Sequence, residues 1–132
     1  MQLSWEYIAG FFDGEGCVTT HTNRSRRGLF GTQVSMAQSG VQGRALLAAI
    51  QGFLADHAIK SYLLQVNKRT AKTPMWSLVI GARPSVMAFF AHVRGRVIIK
   101  KQVVEDTWRF YTIYPSLRGP VTALRNREIQ SA

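Results

Sequence analysis

The feature that most constrains the fold is an alternating pattern of apolar and polar residues that returns twice along the chain. Residues 17–23 are rich in β-branched side chains, and residues 29–38 alternate after a basic turn, which together predict a β-hairpin. Residues 60–68 and 75–81 repeat this pattern around a polar loop. Two hairpins restrict the chain to folds that contain an antiparallel sheet.

Segments of helical period surround the two hairpins. Residues 4–12 open with Ser4 as a candidate N-cap and place large apolar residues at helical spacing. Residues 40–59 carry a longer apolar stripe, and residues 83–93 have a proline in their first turn. Further helices are predicted at residues 102–114 and 119–130. The order predicts an α+β fold in which helices cover one face of an antiparallel sheet.

Length and charge limit the function. The 132 residues predict a single domain, residues 1–132. Seventeen basic and seven acidic residues give a formal charge of +10, which indicates a polyanionic partner such as nucleic acid. No apolar run approaches the roughly 20 residues of a membrane-spanning helix, and no secretion signal precedes the first helix. We therefore expect an intracellular protein, in a prokaryotic cytoplasm or an organelle, with no membrane partner.

The strand alternation separates a core side from an outward side. In the second strand Val34 and Met36 should face the core, and in the fourth strand Trp76, Leu78 and Ile80 should do so. The outward positions are Thr19, His21, Asn23, Gln33, Ser35, Ala37, Leu63, Gln65, Asn67, Met75, Ser77 and Val79. The hairpin turns add Arg24, Arg26, Arg27, Lys68, Arg69 and Lys72. Such a ribbon fits the DNA major groove and can read base edges; an ordinary solvated face is the alternative.

The stretch IAGFFDGEG, residues 8–16, places Asp13 and Glu15 between glycines. Gly10 and Gly14 lie four apart, so one stripe of the first helix is almost free of side chains and another helix can approach it closely. Because the stretch occurs once, we predict that a second copy of the chain supplies that helix across a two-fold axis. Two close copies of Glu15 would then need divalent cations. A helix end with two solvated acids is the alternative.

This nonapeptide resembles the signature of the LAGLIDADG homing endonucleases. Small residues stand at its second, third, seventh and ninth places, large apolar residues at the first, fourth and fifth, and acids at the sixth and eighth. The resemblance implies the αββαββα fold of that family, with a saddle-shaped antiparallel sheet and dimerisation through the signature helix. The implied dimer contacts are Ile8, Ala9, Gly10, Phe12 and Asp13. A structural role, capping a turn or the partner helix, is expected for Asp13.

The resemblance also implies an active site. Glu15 corresponds to the metal-binding acid, although aspartate is usual in the family, and the carbonyl of Gly14 corresponds to a neighbouring ligand. Gln38 matches a polar residue that positions the metal-bound water; an ordinary polar residue at a helix start is the alternative. Lys100, or Lys101 if the alignment slips by one, matches a basic residue near the scissile phosphate. Mg²⁺ is the expected cofactor, and Mn²⁺ an expected substitute.

The resemblance implies a site-specific homing DNA endonuclease. The homodimer would bind a long pseudo-palindromic double-stranded DNA site through its hairpins and hydrolyse one phosphodiester per strand, leaving short 3′ overhangs. Two other functions stay open: a splicing cofactor for intron RNA, because some family members are maturases, and a catalytically inactive DNA-binding regulator. Cys17 excludes an intramolecular disulfide as the only cysteine, and we expect it to be buried.

Overall fold

The computed structural model describes residues 2–23 and 29–113. In chain order its elements are α1 Trp5–Glu15, β1 Gly16–Asn23, β2 Leu29–Ser39, α2 Gly40–Asp56, β3 Tyr62–Gln65, β4 Met75–Ile80, α3 Arg83–Val93 and α4 Lys101–Ile113. The predicted alternation of helices and hairpins is confirmed. The helix predicted at residues 119–130 lies outside the described residues. None of the described helices is long and apolar enough to cross a membrane.

The four strands form one antiparallel sheet in the order β1-β2-β4-β3. The two hairpins therefore meet through their second strands, and β1 and β3 lie at the edges. Paired residues of an antiparallel sheet point to the same face. The face that points away from the helices, called here the outer face, is consequently continuous across both hairpins.

The helices pack on the other face of the sheet. Val34, Met36, Leu78 and Ile80 have no exposed surface, and Trp76 packs half-buried beside them, which confirms the predicted core side of β2 and β4. The helical members of this core are Ile8, Ala9, Phe12, Leu47, Ile50, Leu54, Val86, Phe89, Phe90, Val93 and Val104. Burying each large apolar side chain stabilises the fold by roughly 1.5–3 kcal/mol.

Local chemistry determines both ends of α1. The Ser4 Oγ accepts the backbone N–H of Tyr7 at 3.1 Å, so the predicted N-cap is confirmed. At the other end the N–H of Gly16 donates to the carbonyl of Phe12. A Cβ at Gly16 would touch the Phe12 ring and lie 2.6 Å from the Phe12 carbonyl oxygen. Only glycine fits there, and the chain passes directly from α1 into β1.

Polar contacts attach α4 to the rest of the molecule. Arg94 forms a bidentate pair with Glu105, with N···O distances of 3.0 and 2.8 Å. The hydroxyls of Tyr111 and Thr32 lie 2.7 Å apart in a buried hydrogen bond between α4 and β2. The first residues of α4 are thereby brought beside the C-terminal end of α1.

Candidate active site and nucleic-acid interface

The Asp13 carboxylate holds the turn that precedes α4. Its Oδ2 accepts the backbone N–H groups of Ile98 at 3.0 Å and Ile99 at 3.1 Å. Its Oδ1 accepts the N–H of Lys100 at 2.9 Å. Burial raises the pKa of Asp13, but these three N–H groups and the charge of Lys100 outweigh burial, so the pKa lies below its ordinary value. The predicted structural role of Asp13 at a turn is confirmed.

The Lys100 side chain returns to the end of α1. Its Nζ donates to the Asp13 carbonyl oxygen at 2.7 Å and lies 5.6 Å from the centre of the Phe12 ring. Carbonyl oxygens at a helix C-terminus carry partial negative charge, which favours an ammonium group there. Lys101 is exposed and lines an open depression on α4 with Glu105. Of the two candidate lysines, Lys100 is therefore the one fixed beside Asp13 at the C-terminal end of α1.

Glu15 is exposed at the last position of α1. Gly14 is also exposed, and a Cβ on it would meet nothing within 4 Å. Carboxylate and carbonyl oxygens are the ligands that Mg²⁺ prefers. Among the residues that the structure describes, no three His, Cys, Asp or Glu side chains come together as a metal-binding group. Glu15 and the Gly14 carbonyl offer oxygen ligands of the kind that a divalent cation binds.

Gln38 lies close to this end of α1. It lies two residues after Met36 on the same face of β2, and Met36 pairs with Gly16 at the start of β1. Gln38 packs against α2, where a Cβ on Gly43 would lie 2.8 Å from the Gln38 Cβ. The register thus places Gln38 at the end of the sheet where α1 passes into β1.

The prediction of which α1 residues contact a second subunit is wrong in part. Three of its members are fully buried in the core of their own chain: Ile8, Ala9 and Phe12. Asp13 is engaged by the turn before α4. The apolar stripe of α1 packs on its own sheet and α3, so it has no surface left for another helix. The exposed positions of α1 include Tyr7, Gly10 and Gly14, and only Gly10 was among the predicted contacts.

The outer face of β1 and β2 is polar, as predicted. Thr19 pairs with Gln33, and Cys17 pairs with Ser35, on the side opposite Val34. Positions 21 and 23 continue this register in the backbone. Cys17 is exposed, so the expectation of a buried cysteine is wrong; the strand alternation turns it outward. The predicted contacts Arg24, Arg26 and Arg27 lie outside the described residues.

The face predicted for β3 is wrong. Leu63 pairs with Leu78 and Gln65 pairs with Trp76, so both point toward the helices. The outward residues of β3 are Tyr62 and Leu64. Apolar residues occupy both sides of this short strand, so the alternation carried no signal, and the pairing with β4 decides the face. On β4, Ser77 keeps its predicted outward side but is only 7% exposed.

The amides of Gln65 and Asn67 stabilise the loop between β3 and β4. Gln65 Nε2 donates to Asn67 Oδ1 at 3.1 Å and to the Lys68 carbonyl at 3.0 Å. Asn67 Oδ1 accepts the Met75 N–H at 3.0 Å, and its Nδ2 donates to the Thr73 carbonyl at 3.0 Å. The two side chains predicted to contact DNA thus make hydrogen bonds within their own hairpin.

Cations cluster at the end of the second hairpin. Lys68, Arg69 and Lys72 are exposed on the loop between β3 and β4. The Arg44 guanidinium of α2 lies 4.8 Å from the centre of the Trp76 ring and lines a groove with Lys72. Exposed lysine and arginine side chains bind phosphate groups.

Comparison with known proteins gives consistent results. Residues 3–94 match the family model of a LAGLIDADG-like domain. The homing endonuclease I-CvuI, solved in complex with its target in the presence of calcium, has a TM-score of 0.70 and 17% identity, covering 92% of this chain and 73% of that chain. The homing endonuclease I-TnaI has a TM-score of 0.64 and 20% identity, covering 86% and 74%.

A longer structure is also similar. The LAGLIDADG meganuclease I-AabMI, solved bound to uncleaved DNA, has a TM-score of 0.64 and 14% identity; the match covers 86% of this chain but only 38% of that chain. No curated protein sequence matches the chain.

Proposed function

The chain belongs to the LAGLIDADG-like family and has the homing-endonuclease fold, and from this premise we propose that it is a metal-dependent, site-specific DNA endonuclease. One observation carries the proposal. An exposed acid, Glu15, ends α1, and the Lys100 ammonium is held 2.7 Å from the carbonyl oxygen two residues before it. A carboxylate for a cation and a fixed positive charge for a phosphate are the groups that phosphodiester hydrolysis requires.

Double-stranded DNA is the proposed substrate. The outer face presents the polar side chains of Thr19, Gln33 and Ser35 on one hairpin, and exposed cations flank the other. Hydroxyl and amide groups can read base edges in the major groove, while lysine and arginine bind phosphates. The formal charge of +10 would attract DNA over a long range at low salt.

Glu15 and the Gly14 carbonyl would hold the cation, Mg²⁺ with Mn²⁺ as a substitute. Such a cation, when bound, lowers the pKa of the attacking water and neutralises charge on the leaving oxygen. Lys100 would stabilise negative charge on the scissile phosphate through its Nζ. Gln38 would orient water through its amide. Structures of I-CvuI with DNA, in the presence of calcium and of magnesium, support the choice of a divalent cation.

We propose that the active form is a homodimer. Gly10 and Gly14 leave the exposed side of α1 open to another helix, and a second copy would bring a second Glu15 as a further ligand for a divalent cation. The partial coverage of the longer meganuclease, 38%, leaves room there for a second unit of this size. The dimer would cut each strand of a pseudo-palindromic site once and leave short 3′ overhangs.

Selection on a partly palindromic random DNA library tests this proposal. Wild-type protein is incubated with the library in Mg²⁺, and the cut ends are sequenced. We expect one two-fold-related site, cut on both strands by the wild type and by Asp56→Asn, but not by Glu15→Gln. Asp56 is a matched control, because it is an exposed acid at the last position of α2. A site that is bound but not cut in Mg²⁺ or Mn²⁺ would instead indicate an inactive DNA-binding regulator.

A further inference from the structure

An exposed apolar strip lies on the outer face along the β3 edge. Its members and their exposed fractions are Tyr62 52%, Leu64 37%, Val66 54% and Met75 37%. These four residues are called here the apolar strip. Contiguous exposed apolar side chains, unlike scattered ones, often mark an interaction surface, so the strip is a candidate binding surface.

The strip belongs to the same surface as the polar side chains of the first hairpin. Leu64 pairs with Ser77, and Ser77 pairs with Ala37 on β2. Beyond the end of β3, the N–H of Val66 donates to the Met75 carbonyl at 2.8 Å, which extends the ladder by one more pair. A ligand that lies along the outer face of the first hairpin therefore continues onto the apolar strip.

Charge around the strip identifies the class of ligand. Residues 62–80 contain three cations, Lys68, Arg69 and Lys72, and no acidic residue. Each of these cations is exposed. An apolar surface whose neighbouring charges along the chain are all positive is complementary to a polyanion that also presents apolar groups. Duplex DNA is such a ligand.

We infer that the apolar strip recognises the 5-methyl groups of thymines in the major groove. Thymine is the unmodified base that presents a methyl group there. Apart from the Tyr62 hydroxyl, the strip offers no strong hydrogen-bonding group, so it cannot read the donor and acceptor pattern of the other bases. The second hairpin would thus make each half-site prefer A·T pairs. This inference rests on the proposed DNA-binding function and adds specificity residues to it.

Removal of single methyl groups tests the inference. In the duplex selected by the wild type, each thymine of one half-site is replaced in turn by uracil, which lacks only that methyl group. Affinity is measured by fluorescence anisotropy with divalent cations omitted. We expect at least one position, together with its two-fold mate, to weaken binding about fourfold per methyl group, the value for burying one such carbon.

A protein variant must remove the same effect. Leu64→Ala should bind the thymine and uracil duplexes with equal affinity at one of these positions and keep the sensitivity of the wild type elsewhere. Val103→Ala is the matched control, because Val103 is 39% exposed on α4, away from the outer face. It should retain every response to uracil.

The results separate this inference from the proposed function. If the selected site is cut but contains no thymine that responds to uracil, the strip does not read methyl groups, while the endonuclease stands; a protein partner would then be the occupant to test. Equal responses in wild type and Leu64→Ala would also overturn the inference. If no duplex is bound at all, the proposed function itself fails.

Discussion

The carboxylates of Asp13 and Glu15 lie two residues apart in the sequence and have different surroundings. Asp13 faces the turn before α4 and accepts three backbone N–H groups from its own chain. Glu15 is exposed at the end of the same helix. Both precede a glycine, so composition alone does not distinguish them. Two acids of one motif can therefore have different roles: Asp13 stabilises the fold, and Glu15 is available to a ligand.

The largest expected effect comes from Glu15. Glu15→Gln removes the carboxylate but keeps the size of the side chain, so cleavage of the selected site should fall at least about a thousandfold. The melting temperature should stay within about 1 °C of the wild type, because Glu15 is exposed. Single-turnover cleavage and thermal denaturation check this. Asp56→Asn should cleave at the wild-type rate; equal losses in the two variants would show a general effect of charge.

Substitution of Lys100 should cause the second-largest loss of cleavage. Lys100→Met removes the ammonium fixed 2.7 Å from the Asp13 carbonyl, and cleavage should fall about a hundredfold, as when one transition-state donor is lost. Lys101→Met removes the same charge one residue later, and its cleavage rate should change less than about threefold. Single-turnover rates at saturating protein check both. A slower rate for Lys101→Met than for Lys100→Met would contradict the role proposed for Lys100.

The open side of α1 gives a test of association. Gly10→Leu adds a large side chain where a Cβ meets nothing in the monomer, so the helix should form while the dimer weakens by up to about a hundredfold. Gly52→Leu on α2 is the matched control, because Gly52 is also exposed and a Cβ added to it would meet nothing within 4 Å. Sedimentation equilibrium should show a dimer for wild type and Gly52→Leu. A monomeric wild type, or equal association of all three proteins, would exclude this face.

Asp13 should affect stability. Asp13→Ala leaves the three N–H groups of the turn without their acceptor, and we expect the melting temperature to fall by about 5 °C. Differential scanning calorimetry at pH 7 measures this. Glu105→Ala is a useful comparison, because it breaks another contact that positions α4, the pair with Arg94. An unchanged melting temperature for Asp13→Ala would contradict the structural role.

Lowering the pH should produce the smallest effect, a change in the melting temperature. The pKa of Asp13 is lower in the folded chain than its ordinary value, because backbone N–H groups and Lys100 outweigh desolvation. The stability from Asp13 is therefore complete above the unfolded pKa of about 3.9 and is lost as the pH falls through the lower folded pKa. The gap in melting temperature between wild type and Asp13→Asn should shrink below about pH 4. A gap that is constant from pH 7 to pH 3 would contradict this.

Local patterns in the sequence predicted the elements well. Apolar periodicity located the helices and hairpins within residues 4–113, and Ser4 as the N-cap follows from its own side chain. The polar outer face of β2 was also predictable, because that strand alternates clearly, and the face of β1 follows from its pairing with β2. These features depend on residues close together in the chain.

Features that depend on distant partners were not predictable. The side of α1 that contacts its own core could not be read from Ile8, Ala9 and Phe12, because apolar residues surround most of the helix. The acceptor role of Asp13 toward Ile98 joins residues 85 positions apart. The face of β3 is decided by its register with β4. In each case tertiary packing decides between sides that the sequence leaves equivalent.

Binding of a divalent cation to the protein–DNA complex tests most directly whether Asp13 and Glu15 have different roles. Isothermal titration of Ca²⁺ into complexes of wild type, Glu15→Gln and Asp13→Asn with the selected duplex would measure it. We expect the wild type and Asp13→Asn to bind the cation with similar affinity, and Glu15→Gln to bind it at least about a hundredfold more weakly. Wild-type affinity in Glu15→Gln, or loss of affinity in Asp13→Asn alone, would show that Glu15 is not the cation ligand.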